Sequence, residues 1–243
     1  MNSLIRFKTT TLLRLIGCVL GCVALLPIAQ AVFPPPDGFY SDGNTAEGHD
    51  ALFSDILGTG NYNTALGFHA LYSNSTGLSN TATGNSALAD NVNGVNNTAD
   101  GANALQNNSS GSWNTATGYQ ALWSNVFGFY NTADGANALL HNKTGNRNTA
   151  VGISALRANE SGDNNTAVGN NALFHNTASY NTAIGDSALI TNSTGLGNTA
   201  VGYQALMNNT DAGGNTAVGA KALFHKSGGG TSPQPRHRQH SRR

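Results

Sequence analysis

The stretch Asn114-Thr115-Ala116-Thr117-Gly118-Tyr119-Gln120-Ala121-Leu122-Trp123-Ser124-Asn125-Val126-Phe127-Gly128-Phe129-Tyr130 is followed at once by Asn131-Thr132-Ala133, and the pattern starts again. The same Asn-Thr-Ala triplet begins at Asn44, Asn63, Asn80, Asn97, Asn114, Asn131, Asn148, Asn165, Asn181, Asn198 and Asn215, with a spacing of 17 in eight of the ten steps. The exceptions are 19 residues at the start and 16 between Asn165 and Asn181. Each copy places Gly four residues after the Asn, then an Ala-Leu pair, then in most copies a second Asn and a Gly. A 17-residue unit cannot bury its own apolar face, so the copies must stack on one another.

This predicts a β-solenoid, a parallel β-roll of about eleven coils. Asn-Thr-Ala-x is a short strand, because Thr and the frequent Val, Ile or Leu at x suit a pleated surface. The second half of the coil, such as Tyr119 to Asn125, is open between a helical turn and a second strand. Ala and Leu favour the helical turn, with the trailing Asn and Gly as a left-handed cap. The expected core is Ala65, Leu71, Ala82, Leu88, Ala116, Leu122, Ala150, Leu156, Ala167, Leu173, Ala200 and Leu206, with the other copies equivalent. Asn63, Asn80, Asn97, Asn114, Asn131, Asn148, Asn165, Asn181, Asn198 and Asn215 are expected to stack as a hydrogen-bonded amide ladder at the rung spacing of about 4.8 Å. Eleven rungs span roughly 50 Å. Gly- and Asn-rich composition with 10% charged residues is also typical of disordered chains, and the strict period is what argues against that reading.

Outside the array, residues 1–31 read as a signal peptide. Arg6, Lys8 and Arg14 precede an apolar run from Leu15 to Ile28, and Ala29-Gln30-Ala31 is a cleavage site. Cys18 and Cys22, the chain's two cysteines, both lie in this segment, so the mature protein has no disulfide. Lipidation at Cys22 is the competing expectation. Residues 32–43 read as a Pro-rich linker, 44–225 as the solenoid and 226–243 as a flexible basic tail. Between Val32 and His225 four basic residues face twelve acidic ones, a net charge of minus eight. The expected location is outside the cytoplasm of a bacterium: extracellular, cell-surface or periplasmic.

The span Asn44 to Phe224 resembles the head repeats of bacterial trimeric autotransporter adhesins and the related Asn-Thr-Ala-x-Gly-Tyr-Gln-Ala-Leu arrays of tail-fibre-like and cell-surface proteins. Asn114 to Leu122 and Asn198 to Leu206 carry the resemblance most closely. It implies a homotrimer that presents a surface for adhesion to a host, matrix or glycan.

Chemistry is sparse. His141, His175 and His225 share one repeat position but lie two and three coils apart, roughly 10–15 Å, too far to share a metal ion. Asp100 and Asp134 are likewise two coils apart. No catalytic residue, cofactor site, metal site or specific nucleic-acid partner is expected, and the membrane is met only through the leader or a lipid. The leading function is therefore a structural or adhesive surface module, not an enzyme. The alternative is a carbohydrate- or ice-binding solenoid using Thr or aromatic rows. An outward Thr row would favour surface binding, whereas an inward one would leave only scaffold or adhesion.

Overall fold

The computed structural model describes residues 43–54 and 60–225. The leader, most of the linker and the tail lie outside the described residues. Eleven three-residue strands follow one another: β1 Thr45–Glu47, β2 Thr64–Leu66, β3 Thr81–Thr83, β4 Thr98–Asp100, β5 Thr115–Thr117, β6 Thr132–Asp134, β7 Thr149–Val151, β8 Thr166–Val168, β9 Thr182–Ile184, β10 Thr199–Val201 and β11 Thr216–Val218. They pair in sequence order as one parallel sheet. Thr pairs with Thr and Ala with Ala at every step, as in Thr115↔Thr132 and Ala116↔Ala133. The fold is thus an eleven-coil parallel β-solenoid with a period of about 17 residues.

Strand alternation sends the middle Ala inward. Ala65, Ala82, Ala116, Ala150, Ala167 and Ala200 have no exposed surface, and neither do Leu71, Leu88, Leu122, Leu156, Leu173 and Leu206. A second Ala beside each Leu, such as Ala121, completes the apolar interior. Each of the first ten coils therefore buries two Ala and one Leu, a narrow core, while on the last coil Leu223 is exposed and Ala222 half-buried.

The rest of the interior is polar. Asn63, Asn80, Asn97, Asn114, Asn131, Asn148, Asn165, Asn181 and Asn198 are at most 1% exposed, while Asn44 and Asn215, on the end coils, reach 8% and 9%. Each from Asn44 to Asn198 accepts the backbone N–H of the next coil's Asn, from Asn63 N–H on Asn44 Oδ1 at 2.7 Å to Asn215 N–H on Asn198 Oδ1 at 3.0 Å. The side-chain amide of Asn114 also donates across its own coil to the Gly128 carbonyl at 2.8 Å. Amide-to-amide contacts such as Asn114 Nδ2 to Asn97 Oδ1 are longer, at 3.2 Å. The stacked Asn row is thus tied mainly through the backbone.

The second half of the coil is neither helix nor strand among the described residues. The helical turn with its Asn cap is replaced by two tight turns. Ala121 N–H donates to the Gly118 carbonyl, and Asn125 N–H to the Leu122 carbonyl. Gly118, Gln120 and Leu122 have φ of 116°, 56° and 51°, alternating with residues that do not have positive φ. The physical reason lies in where the N–H groups go. A helix would satisfy them within the segment, whereas here Leu122 N–H reaches Ala138 of the next coil at 2.9 Å and Gln120 N–H reaches Ala102 of the previous coil at 3.0 Å. The trailing Asn is not left-handed either. Asn91, Asn108, Asn125, Asn142 and Asn159 are buried and form a second ladder, with Asn125 Nδ2 on Asn108 Oδ1 at 2.7 Å. The second Gly of the coil is there for space, not for turn geometry. A Cβ on Gly128 would stand 2.6 Å from the Gly145 carbonyl oxygen and would press on Asn125.

The 16-residue coil leaves a mark. Asn176 donates to Ala178 instead of to the preceding ladder member, and Asn159 Oδ1 is buried with no hydrogen-bond partner. The backbone-linked first ladder runs on undisturbed, with Asn181 N–H on Asn165 Oδ1 at 2.9 Å.

Candidate functional site

With every interior position spent on the core, function is left to the outward positions. Because the middle Ala of each strand points in, its two neighbours point out. No Thr of β1 to β11 is buried, so the eleven Thr form one uninterrupted outer row in register from coil to coil. The structure thus selects the outward alternative for the Thr row.

The parallel outer row, at the third strand position, changes character along the array. On β1 to β6 it reads Glu47, Leu66, Thr83, Asp100, Thr117 and Asp134, and on β7 to β11 it reads Val151, Val168, Ile184, Val201 and Val218. Polar groups thus dominate one half of the face and β-branched apolar groups occupy the other. Ile184 and Val218 are exposed despite their apolar character.

Beside the Thr row, the residue just before each Asn is left-handed and outward. Trp113 and Tyr130 occupy this position on successive coils and stack at 6.1 Å with 16° between planes. The Arg147 guanidinium, on the next coil, sits 5.7 Å from the Tyr130 ring centre. Phe127 and Phe129 are exposed close by in sequence. On the turn side several residues that directly follow the Leu meet across the seam between coils. Phe53 stacks on Tyr72 at 5.1 Å, and Trp123 Nε1 donates to Gln106 Oε1 at 3.0 Å.

Of the histidines singled out in the sequence, His141 titrates below its ordinary range. Burial lowers it first, and the charges of Arg157 and Lys143 add to that against the opposing effect of Glu160. The grouping that sequence reasoning missed is at the first two coils. Asp50 Oδ2 lies 3.0 Å from His49 Nδ1 and 3.5 Å from His69 Nε2. Asp50 and His69 hold the same position in adjacent coils, so the coil register alone places one over the other. The Asn-x-Ser/Thr sequons at Asn74, Asn142 and Asn192 have fully buried amides engaged in the second ladder, which closes them to glycosylation. No family model, curated protein or solved structure matches the chain.

Proposed function

We propose that this protein is an exported structural or adhesive module that lays its outer strand face against an extended, repeating surface such as a polysaccharide or matrix. The observation that carries the proposal is the unbroken outward Thr row on a solenoid whose strand-side Ala and Asn repeat from coil to coil. Hydroxyls held at rung spacing by a rigid ladder need little reordering on contact, which reduces the entropic cost of binding. The Trp113–Tyr130 stack adds an exposed π-face of the kind on which sugar rings pack. It favours a carbohydrate over ice as the ligand of the Thr face. A repetitive solenoid is an architecture typical of structural rather than catalytic proteins. The resemblance to adhesin head repeats supports the same reading, and it extends the proposal to a homotrimer and to the cell surface.

The test is retention of the full-length secreted protein on insoluble polysaccharides and on matrix-coated surfaces. The triple variant Thr98→Val, Thr115→Val, Thr132→Val, which removes the hydroxyls without stacking like charges on neighbouring strands, should keep its melting profile and lose about tenfold or more in affinity, a difference of about 1.4 kcal/mol or more. Binding that is indifferent to the triple variant would remove the Thr face from the proposal. Thermal hysteresis in freezing solutions, abolished by the same variant, would replace glycan with ice.

A further inference from the structure

We propose that His49, Asp50 and His69 form a binding site for a divalent transition-metal ion of the zinc type, which clips the first coil to the second. The geometry comes from the backbone. β1 and β2 pair in register from Thr45↔Thr64 to Glu47↔Leu66. Directly after them His69 N–H donates to the His49 carbonyl at 3.0 Å, fixing the two coils where the three side chains begin. Asp50 and His69 are both left-handed, at φ 56° and 54°, so they project from equivalent points on successive coils. One ligand atom from each of His49, Asp50 and His69 lies within 4.8 Å of the other two.

The separations decide the ion class. Metal–ligand bonds of about 2.0–2.1 Å in a tetrahedron put neighbouring donors about 3.3 Å apart. The two His–Asp distances, 3.0 and 3.5 Å, bracket that value. Two imidazole nitrogens and one carboxylate oxygen suit zinc, nickel, copper or cobalt, and not calcium or magnesium, which take oxygen donors. The His49 side chain is 68% exposed, which leaves a fourth position open to water. Phe68 stacks against both rings, at 5.7 Å from His49 and 3.8 Å from His69, and limits their rotation. On the later coils the position of Asp50 and His69 is held by Ser, Asn, Gln or Lys, so the site belongs to the N-terminal end of the array. Among the described residues this coil has a stacking partner on one side alone, so a cross-link to the second coil adds to its single interface.

The experiment is calorimetric titration of the untagged full-length protein with zinc chloride, followed by cobalt chloride as a visible-absorption reporter of tetrahedral coordination. One equivalent of zinc should bind, and cobalt should give the intense bands of a four-coordinate site. Asp50→Asn keeps size and tolerates the left-handed backbone, and His69→Gln keeps a polar side chain. Each should weaken binding about tenfold or more. His175→Gln, far along the array, should bind as the unaltered protein does. Far-ultraviolet circular dichroism of each variant separates loss of the site from loss of the fold. Zinc binding unchanged by Asp50→Asn and His69→Gln, an octahedral cobalt spectrum, or no stoichiometric binding would each overturn the proposal.

Discussion

Leu122 shows how far a buried side chain can override a backbone preference. It has φ of 51°, and the Leu of every described coil shares that conformation. A left-handed conformation costs an L-residue about 1–2 kcal/mol. Full burial of a Leu side chain returns about 1.5–3 kcal/mol, and the inter-coil hydrogen bond from Leu122 N–H to Ala138 adds to it. The balance favours the strained conformer only because γ-branching leaves Cβ uncrowded. Leu122→Met should therefore cost less than about 1.5 kcal/mol. Leu122→Ile, of nearly equal volume, should cost a further ~1–3 kcal/mol, because β-branching is the worst fit to this region. Leu122→Asp, which buries an unpaired carboxylate, should be worse than either. Thermal melts of the three variants give the order. An Ile variant as stable as the Met variant would mean that the left-handed Leu is not a constraint in solution.

At the level of one coil, two polar ladders do work that a wider core would leave to apolar side chains. The coil from Asn165 to Tyr180 is one residue short, and its deficit falls on the second ladder, where Asn159 Oδ1 goes unpaired. An unsatisfied buried acceptor costs about 1–3 kcal/mol. Inserting one Gly between Ala178 and Ser179 restores the 17-residue period and puts a Gly at the coil position of Gly162 and Gly195. It should allow Asn176 to donate to Asn159 as Asn142 does to Asn125. The expected result is a net gain of about 1 kcal/mol, the pairing being offset in part by the added residue's entropy. Chemical denaturation of the insertion variant measures it. Lower stability would show that the short coil has repacked around its own length.

For the whole array, nearest-neighbour stacking makes the coils interchangeable. Deleting one full period, Asn131 to Arg147, joins the coil starting at Asn114 to the one starting at Asn148 through equivalent surfaces. The product should fold, with stability lower by one coil and one interface. Deleting only Asn131 to Ala138 removes β6 and puts the Leu row out of register, so it should be far more damaging. Circular dichroism and melting of both deletions make the comparison. Equal tolerance would indicate a disordered chain, and equal collapse a closed fold with unique parts.

The period, the parallel stack and the inward Ala were legible because they follow from repetition itself. Identical residues every 17 positions can meet only by stacking, and nothing larger than Ala is ever placed at that strand position. Once Ala faces inward, strand alternation sends Thr outward, so the outer row was implicit in the sequence as well. The turn half was not legible in the same way. Ala-Leu followed by Asn reads locally as helix. The tertiary stack rejects helix because each coil must offer N–H groups to its neighbours rather than to itself. The left-handed Leu carries no local signature, since the pocket that stabilises it exists only after the coils have closed. The grouping of His49, Asp50 and His69 depends on the same fact. Nineteen residues of sequence separate Asp50 from His69, and only the coil register, set by β1 and β2, brings their side chains to 3.5 Å.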